Sequence, residues 1–203
     1  MASAQQDLLH VLAREHRDHS VAFHEMIDRI DATAPRHRRR QFASLVLHLG
    51  VHLTAERLLV HPLVVAAIDR GEETKRARER EMLSLRGRLS ELGEVLDDPG
   101  RLDGALQTAS RETTAHADRE ELEVFVYARH VATPKQLRRM GRLHATLHQR
   151  LPSRYQREGD APGEPWTDPR LFDVLESWYV EALPADDWDP VEVVHDPDRT
   201  RQR

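Results

Sequence analysis

Apolar residues recur every three or four positions through the first 150 residues of this chain, and glycine and proline are scarce there. This spacing places the apolar side chains on one face of an α-helix, whereas a strand would require strict alternation. Because amphipathic helices bury their apolar faces against one another, the pattern predicts an all-α protein. Four long helices joined by short turns indicate an up-down four-helix bundle with a fifth helix and a C-terminal helical and irregular extension.

Interruptions of the apolar pattern predict where the helices end, since proline and glycine break helices. The predicted helices cover residues 4–30, 35–62, 72–96, 102–128, 135–150 and 169–182. Residues 1–150 are therefore predicted to form the helical bundle. Residues 151–203 are predicted to form a linker rich in proline and glycine, a short helix and an acidic tail, packed on the bundle or extending from it. The short helix is expected to dock through Leu171, Phe172, Leu175 and Trp178.

Composition excludes several classes of site and partner. The chain contains no cysteine, so disulfides, thiolate metal sites and cysteine nucleophiles are excluded, and any metal must be bound by nitrogen and oxygen. No nucleophile elbow, P-loop or dinucleotide-binding glycine motif is present. The net charge is −5, with the acid concentrated near the C-terminus, so we expect no nucleic-acid partner. Without a long apolar run or a secretory signal, we expect a cytoplasmic protein that does not bind membranes.

Two His-x-x-x-Glu pairs, His52/Glu56 and His116/Glu120, lie on the apolar stripes of two different predicted helices. A spacing of four places both side chains of a pair on one helix face. An unpaired buried carboxylate costs several kcal/mol, and a bound cation removes that cost. His16, on the apolar face of the first helix, adds a third nitrogen. Imidazoles and carboxylates inside a bundle suit iron or manganese, although each histidine is also compatible with a hydrogen-bonded core position.

Three segments carry a resemblance to a known family: REHRDH at 14–19, HLTAERLLVHP at 52–62 and HADREELEVF at 116–125. In this order and separation they resemble the hemerythrin-like, or HHE cation-binding, family over roughly residues 5–130. The resemblance implies a four-helix bundle that holds a non-haem diiron centre, with manganese a less favoured metal. It also implies five ligands, of which the two glutamates would bridge the metal ions: His16, His52, Glu56, His116 and Glu120.

The chain departs from the family pattern on the third helix, where a histidine is expected. It reads RARERE at 76–81 followed by Met82, and a methionine is a poor ligand for iron. Glu81 is the nearest substitute and would supply a carboxylate, or the position is left to water. Other histidines are predicted to be solvated, capping or peripheral, although three of them are also candidates to compensate for the missing nitrogen. The three candidates are His48, His144 and His148, while His61 is predicted to be peripheral and His19, His24 and His37 exposed.

The resemblance implies a protein that binds or processes dioxygen, peroxide or nitric oxide. Loss of a nitrogen ligand and gain of a carboxylate favour oxygen or redox sensing, detoxification or iron handling over oxygen storage. Oxidase, peroxidase-like or catalase-like activity is left open, and no catalytic residue is predicted. The alternative is a metal-free bundle that acts as a protein-interaction module through Trp166, Trp178 and Trp188, although packing of the tail on its own bundle is the preferred explanation of these residues. Whether the last helix pairs two chains into a homodimer is also left open.

Overall fold

The computed structural model describes residues 7–158 and 164–183, and this part of the chain is all-helical with no strand. Asp7 caps the first helix by accepting a hydrogen bond from the His10 backbone N–H at 2.9 Å. The α-helices are α1 (Leu8–Asp28), α2 (Pro35–Ala55), α3 (His61–Ala67), α4 (Gly71–Glu94), α5 (Pro99–Arg119), α6 (Phe125–Val131), α7 (Pro134–Glu158) and α8 (Leu171–Glu181). The predicted helices are therefore confirmed, with ends shifted by up to eight residues.

Two π-turns lie inside the two longest helical segments and are a feature that the sequence pattern did not predict. Glu56–Val60 joins α2 to α3, and Glu120–Val124 joins α5 to α6. Each π-turn begins at the glutamate of a His-x-x-x-Glu pair. Such single π-turns occur frequently at functional sites, because the extra residue changes which side chains share a helix face.

The helices enclose one hydrophobic core. The helix α1 contacts α2, α5 and α7, while α4 contacts α3 and α5, and α3 also contacts α6. Leucines supply much of the buried core surface, and Phe23 and Phe42 are completely buried within it. Near the middle of this apolar interior lie buried histidines and glutamates, and these polar groups form the candidate site described below.

The helix α7 continues to Glu158, so the predicted linker start at residue 151 is wrong. Pro152 lies inside this helix, where a proline removes one backbone hydrogen bond and costs about 3 kcal/mol. Leu151 and Tyr155 are buried against the core on either side of it, and the Tyr155 hydroxyl donates a hydrogen bond to Asp168 at 2.7 Å. We attribute the persistence of the helix to this packing, which compensates for the proline.

The segment after residue 164 packs back on the other helices. Trp166 is buried against Phe42, with ring centroids 5.0 Å apart. It also approaches Gly93 of α4 so closely that a Cβ there would lie 2.1 Å from the indole. In α8, Leu171 and Leu175 are buried, while Phe172 and Trp178 are partly buried, as the docking prediction required. Trp188 and the acidic tail lie outside the described residues.

One helical segment of the described residues, Pro35–Ala67, is long and apolar enough to cross a membrane by length and composition. In its most apolar window, 78% of the residues are buried inside the structure. A core helix shows the same properties, so this segment is weak evidence for a membrane span.

Candidate metal centre

Glu56 lies at the middle of the site and is completely buried at the start of the first π-turn. Three imidazoles from three helices point at its carboxylate. His16 Nε2 lies 3.1 Å from Oε1, and His116 Nε2 lies 3.1 Å from the other oxygen, Oε2. His52 Nε2 lies 3.2 Å from Oε1, but without the alignment of a hydrogen bond. The two oxygens of one carboxylate therefore face two different sets of nitrogen atoms.

The opposite nitrogen of each of these imidazoles faces a second carboxylate. His16 Nδ1 lies 2.8 Å from Glu121, His52 Nδ1 lies 2.9 Å from Glu15, and His116 Nδ1 lies 3.2 Å from Glu81. Each second carboxylate comes from a different helical segment than its histidine. Carboxylate partners of this kind fix the ring orientation and the tautomer of metal-binding histidines, and they make the imidazole a stronger ligand.

Glu120 lies at the start of the second π-turn and is completely buried. Its two carboxylate oxygens differ in their hydrogen bonding. His61 Nε2 donates to its Oε1 at 3.0 Å, whereas its Oε2 has no hydrogen-bond partner among the described residues. Buried carboxylate oxygens are rarely left in this condition, because each lost hydrogen bond costs free energy. An unpaired buried oxygen beside His116 is therefore a position at which a cation would be stabilised.

Two groups of side chains in the described part of the chain place potential metal-binding atoms within 4.8 Å of one another. One group is His16, His52 and Glu56, and the other is Glu56, His116 and Glu120. All five side chains that the sequence singled out as ligands are thus brought together, and Glu56 belongs to both groups. Glu120 belongs to the second group alone, so the predicted second bridging carboxylate lies nearer to one position than to the other.

Electrostatic interactions stabilise the buried charges of this cluster in the metal-free protein. Burial alone lowers the pKa of His52, but the Glu56 charge and the hydrogen bond to Glu15 outweigh it and raise that pKa to about 10. Burial also disfavours protonated His116, but its hydrogen bond to Glu56 raises the pKa to about 9. Burial would raise the pKa of Glu56, yet the same imidazoles hold it well below its ordinary value. Protons on the histidines therefore supply the positive charge that a metal would bring.

Glu15 and His144 extend the cluster towards α7 and α8. Glu15 was not predicted to lie at the site, and His144 was predicted to be solvated or capping, with a role at the site left open. Glu15 is buried between His52 and His144, whose Nε2 lies 2.9 Å from Glu15 Oε2. His144 Nδ1 is in turn 3.1 Å from the Tyr179 hydroxyl. Burial would raise the pKa of Glu15, but the hydrogen bonds from His144 and His52 lower it. These contacts hold the His52 ring on its Nδ1 side, away from Glu56.

The face of α4 contains no histidine, as the sequence indicated, and it supplies Arg78, Glu81 and Met82 instead. Glu81 lies behind His116 and belongs to neither group of potential ligands, because its carboxylate faces Nδ1 rather than Glu56. Arg78 Nη2 lies 3.2 Å from Glu81, and Met82 is buried in the core. Burial would raise the pKa of Glu81, but His116 and Arg78 lower it. In this arrangement Glu81 orients His116 and does not fill the place of the missing histidine.

Several histidines lie elsewhere than the sequence predicted. His19 is buried, not exposed, and His61 is buried beside Glu120, not peripheral. His144 is completely buried, whereas a solvated or capping position was predicted. His24 and His37 are exposed, as predicted. The apolar periodicity of the sequence does indicate that His19 and His144 are buried, because both continue a buried stripe of their helix at spacings of three and four.

A pocket of about 380 Å³ connects this region with the surface. Glu15, His19, His48 and His148 are among its lining residues. The His19 ring lies edge-on to that of His52, with centroids 5.1 Å apart. Its Nδ1 is buried and finds no hydrogen-bond partner in the part of the chain that the structure describes. Burial lowers the pKa of His148 to about 4, so its imidazole is neutral at neutral pH. The pocket therefore reaches the outer part of the cluster at Glu15 and His19, next to His52.

The donor set fits a first-row metal ion that prefers nitrogen and oxygen ligands. Two ligands at a right angle, each about 2.1 Å from one ion, are about 3 Å apart, close to the separations between the imidazole nitrogens and Glu56. The unpaired Glu120 Oε2 and the misaligned His52 Nε2 are the atoms that an ion would satisfy. Iron and manganese accept this mixture of ligands, whereas calcium prefers oxygen alone.

Comparisons with protein-family models, with curated proteins and with solved structures find no match to this chain.

Proposed function

We propose that this protein is a hemerythrin-like, non-haem diiron protein that binds or processes dioxygen, peroxide or nitric oxide. The observation that carries the proposal is the convergence of three imidazole Nε2 atoms on the two oxygens of Glu56, while a separate carboxylate faces each Nδ1. A histidine that serves only as a core residue needs no such double arrangement. Three of them around one carboxylate correspond to ligands held ready for two ions that share Glu56.

The helix packing supports the same proposal. The segments α1, α2–α3, α4 and α5–α6 contact one another in turn, and all of them contribute a side chain to the cluster or to its immediate surroundings. We therefore propose that they form an up-down four-helix bundle around the site. In this bundle His16 comes from the first segment, His52 and Glu56 from the second, and His116 and Glu120 from the fourth.

The charges around the site favour oxidation chemistry or sensing over reversible oxygen storage. An iron pair bound here supplies an open coordination position and up to two electrons. Glu15, Glu81 and Glu121 each face the Nδ1 of a proposed ligand, and this makes the imidazoles more basic. Basic ligands and added negative charge stabilise the more highly charged, oxidised metal. We therefore propose redox or oxygen sensing, or detoxification, as the role, with iron handling and manganese as less favoured alternatives.

The first test is the iron content of protein purified without chelator and then reconstituted with ferrous iron under anaerobic conditions. We expect two iron ions per chain and new near-ultraviolet absorption when air is admitted. Glu56→Gln should bind at most one iron, whereas the matched control Glu94→Gln, at an exposed position of α4, should bind two. Exposure to oxygen, peroxide and nitric oxide in turn then identifies which of them changes the spectrum.

Iron that stays far below one per chain after reconstitution would refute the proposal. The interaction-module alternative would then be preferred, although Trp166 already packs against Phe42 and Gly93 within the chain. That alternative also predicts that removing His52 and His116 leaves partner binding unchanged.

A further inference from the structure

The two groups of potential ligands differ in their nitrogen content. The first contains two imidazoles, His16 and His52, in addition to the shared Glu56. The second contains one imidazole, His116, with two carboxylates. The helix α4 does not correct this difference, because Glu81 faces the far side of His116. Any further nitrogen ligand for the second position has to come from another element.

The first π-turn brings His61 to the same side of its helix as Glu56. In an α-helix, a residue five positions after Glu56 would lie about 140° around the axis. Here the His61 backbone N–H bonds to the Glu56 carbonyl oxygen, which is the five-residue step of a π-turn. His61 therefore lies about one turn above Glu56 and on the same side of the helix. Without the π-turn its side chain would point away from the site.

The His61 side chain is enclosed in the protein and incompletely satisfied. It is 1% exposed, and its Nε2 lies 3.0 Å from Oε1 of Glu120. Within residues 7–158 and 164–183, neither its Nδ1 nor the Glu120 Oε2 has a hydrogen-bond partner. A purely structural pair of a histidine and a glutamate would be expected to satisfy these buried atoms, since unpaired polar atoms cost stability. The pair is therefore better suited to binding something than to holding the helices together.

We propose that His61 is a nitrogen ligand of the second metal position, together with Glu56, His116 and Glu120. It supplies from α3 the imidazole that α4 lacks. Coordination through Nε2 requires the imidazole proton to lie on Nδ1, so binding of the ion would replace the hydrogen bond between His61 Nε2 and Glu120 and leave the Glu120 carboxylate to face the ion. This inference rests on the proposed diiron function, and it adds a ligand that the spacing of the two His-x-x-x-Glu pairs does not indicate.

The test is an anaerobic titration with ferrous iron of the wild-type protein, His61→Asn and the control His24→Asn. His24 is exposed on α1, and its Nδ1 lies 2.7 Å from the Ser20 carbonyl oxygen rather than beside a carboxylate of the cluster. We expect two binding steps in the wild type and in the control. In His61→Asn the first step should be retained, and the second should weaken by at least about 100-fold, since even loss of a supporting partner costs 10- to 100-fold.

A second measurement on the unmodified chain covers the case in which the His61 variant does not fold. Cobalt(II) replaces iron, and ¹⁵N-labelled histidine allows coordinated imidazoles to be counted by their strongly shifted NMR signals. Four shifted imidazoles support the inference, and three overturn it. Unchanged binding of two irons by His61→Asn would also overturn it while leaving the diiron proposal intact. A wild-type chain that binds no metal would instead refute both.

Discussion

Substituting Glu56 by glutamine in the metal-free protein tests whether this carboxylate is the electrostatic centre of the cluster. The change preserves the size and shape of the side chain, removes its charge and replaces one acceptor oxygen by an NH2 donor. His16, His52 and His116 then face a neutral amide in a buried environment. Because the protonated histidines lose the anion that stabilises them, the folded state should lose free energy relative to the unfolded state.

The size of this loss follows from the burial of the partners. Removing one member of a buried ion pair costs about 3–5 kcal/mol, because the remaining charge is left uncompensated. For a chain of this length, 1 kcal/mol corresponds to about 2–4 °C in the melting temperature, so Tm should fall by about 6–20 °C. The control Glu94→Gln removes an exposed charge and should change the free energy of unfolding by no more than about 0.5 kcal/mol.

The pH dependence of the loss provides a second check. The folded-state pKa of His52 is raised from 6.5 to about 10, and that of His116 from 6.5 to about 9. The stability from their protonation is therefore complete below about pH 6.5 and disappears as the pH rises through 9 to 10. The pKa of Glu56 is lowered from 4.5, so its contribution is present above pH 4.5 and is lost in more acidic solution. The difference between wild type and Glu56→Gln should thus be greatest near pH 5–6.5.

The assay is urea unfolding of chelator-treated protein, followed by circular dichroism at pH 6 and at pH 9.5. We expect a difference of about 3–5 kcal/mol in the free energy of unfolding at pH 6 and a smaller difference at pH 9.5. Equal stability of the wild type and Glu56→Gln at pH 6 would refute the charge network derived from the structure. A difference that grows with pH would refute the assignment of raised histidine pKa values.

Three further outcomes are expected. Removing bound iron by chelation should lower Tm by about 10–20 °C, compared with protein in free iron near 100 times Kd, where each of two sites contributes about 2.7 kcal/mol. Equal melting curves of the iron-loaded and chelated protein would contradict a buried metal site. Glu81→Ala should weaken iron binding by about 10- to 100-fold, because His116 loses the carboxylate that orients its ring. Two irons per chain should still bind at saturation. If elemental analysis finds only one iron per chain, Glu81 is itself a ligand. In α4, Gly93→Ala should lower the free energy of unfolding in urea by about 1–3 kcal/mol, because its Cβ would meet Trp166. Gly87→Ala has open space around it and should raise the free energy of unfolding by about 0.5–1 kcal/mol. If Gly93→Ala were more stable than Gly87→Ala, the packing of Trp166 would be contradicted.

The structure also changes the reason for expecting metal-dependent stability. From the sequence, burying the unpaired carboxylates of Glu56 and Glu120 would cost several kcal/mol unless a cation lay beside them. In the structure Glu56 is surrounded by imidazoles, and Glu120 accepts a hydrogen bond from His61. The metal-free protein thus has its own source of positive charge, and the stabilisation by metal comes from the binding free energy rather than from removing the cost of unpaired carboxylates.

The sequence by itself determined the helical fold and the five central residues of the candidate site. Apolar residues at spacings of three and four define buried helix faces, and a histidine and a glutamate four apart on such a face must point inward together. Glu15 and His19 could have been found in the same way, because they continue the buried face of α1 between Leu12 and Phe23.

Only the tertiary structure decided which side chain faces which. The position of His61 depends on a π-turn, and the helical periodicity of the sequence gives no signal for that extra residue. The contacts of His116 with Glu81, and of His52 with Glu15, join residues 35 and 37 positions apart in the chain. Such pairs are set by how the helices pack against one another, which local spacing does not encode. The sequence therefore indicates which residue types lie at the site. Which of them contact Glu56 and which lie behind the histidines is decided by the packing of the helices.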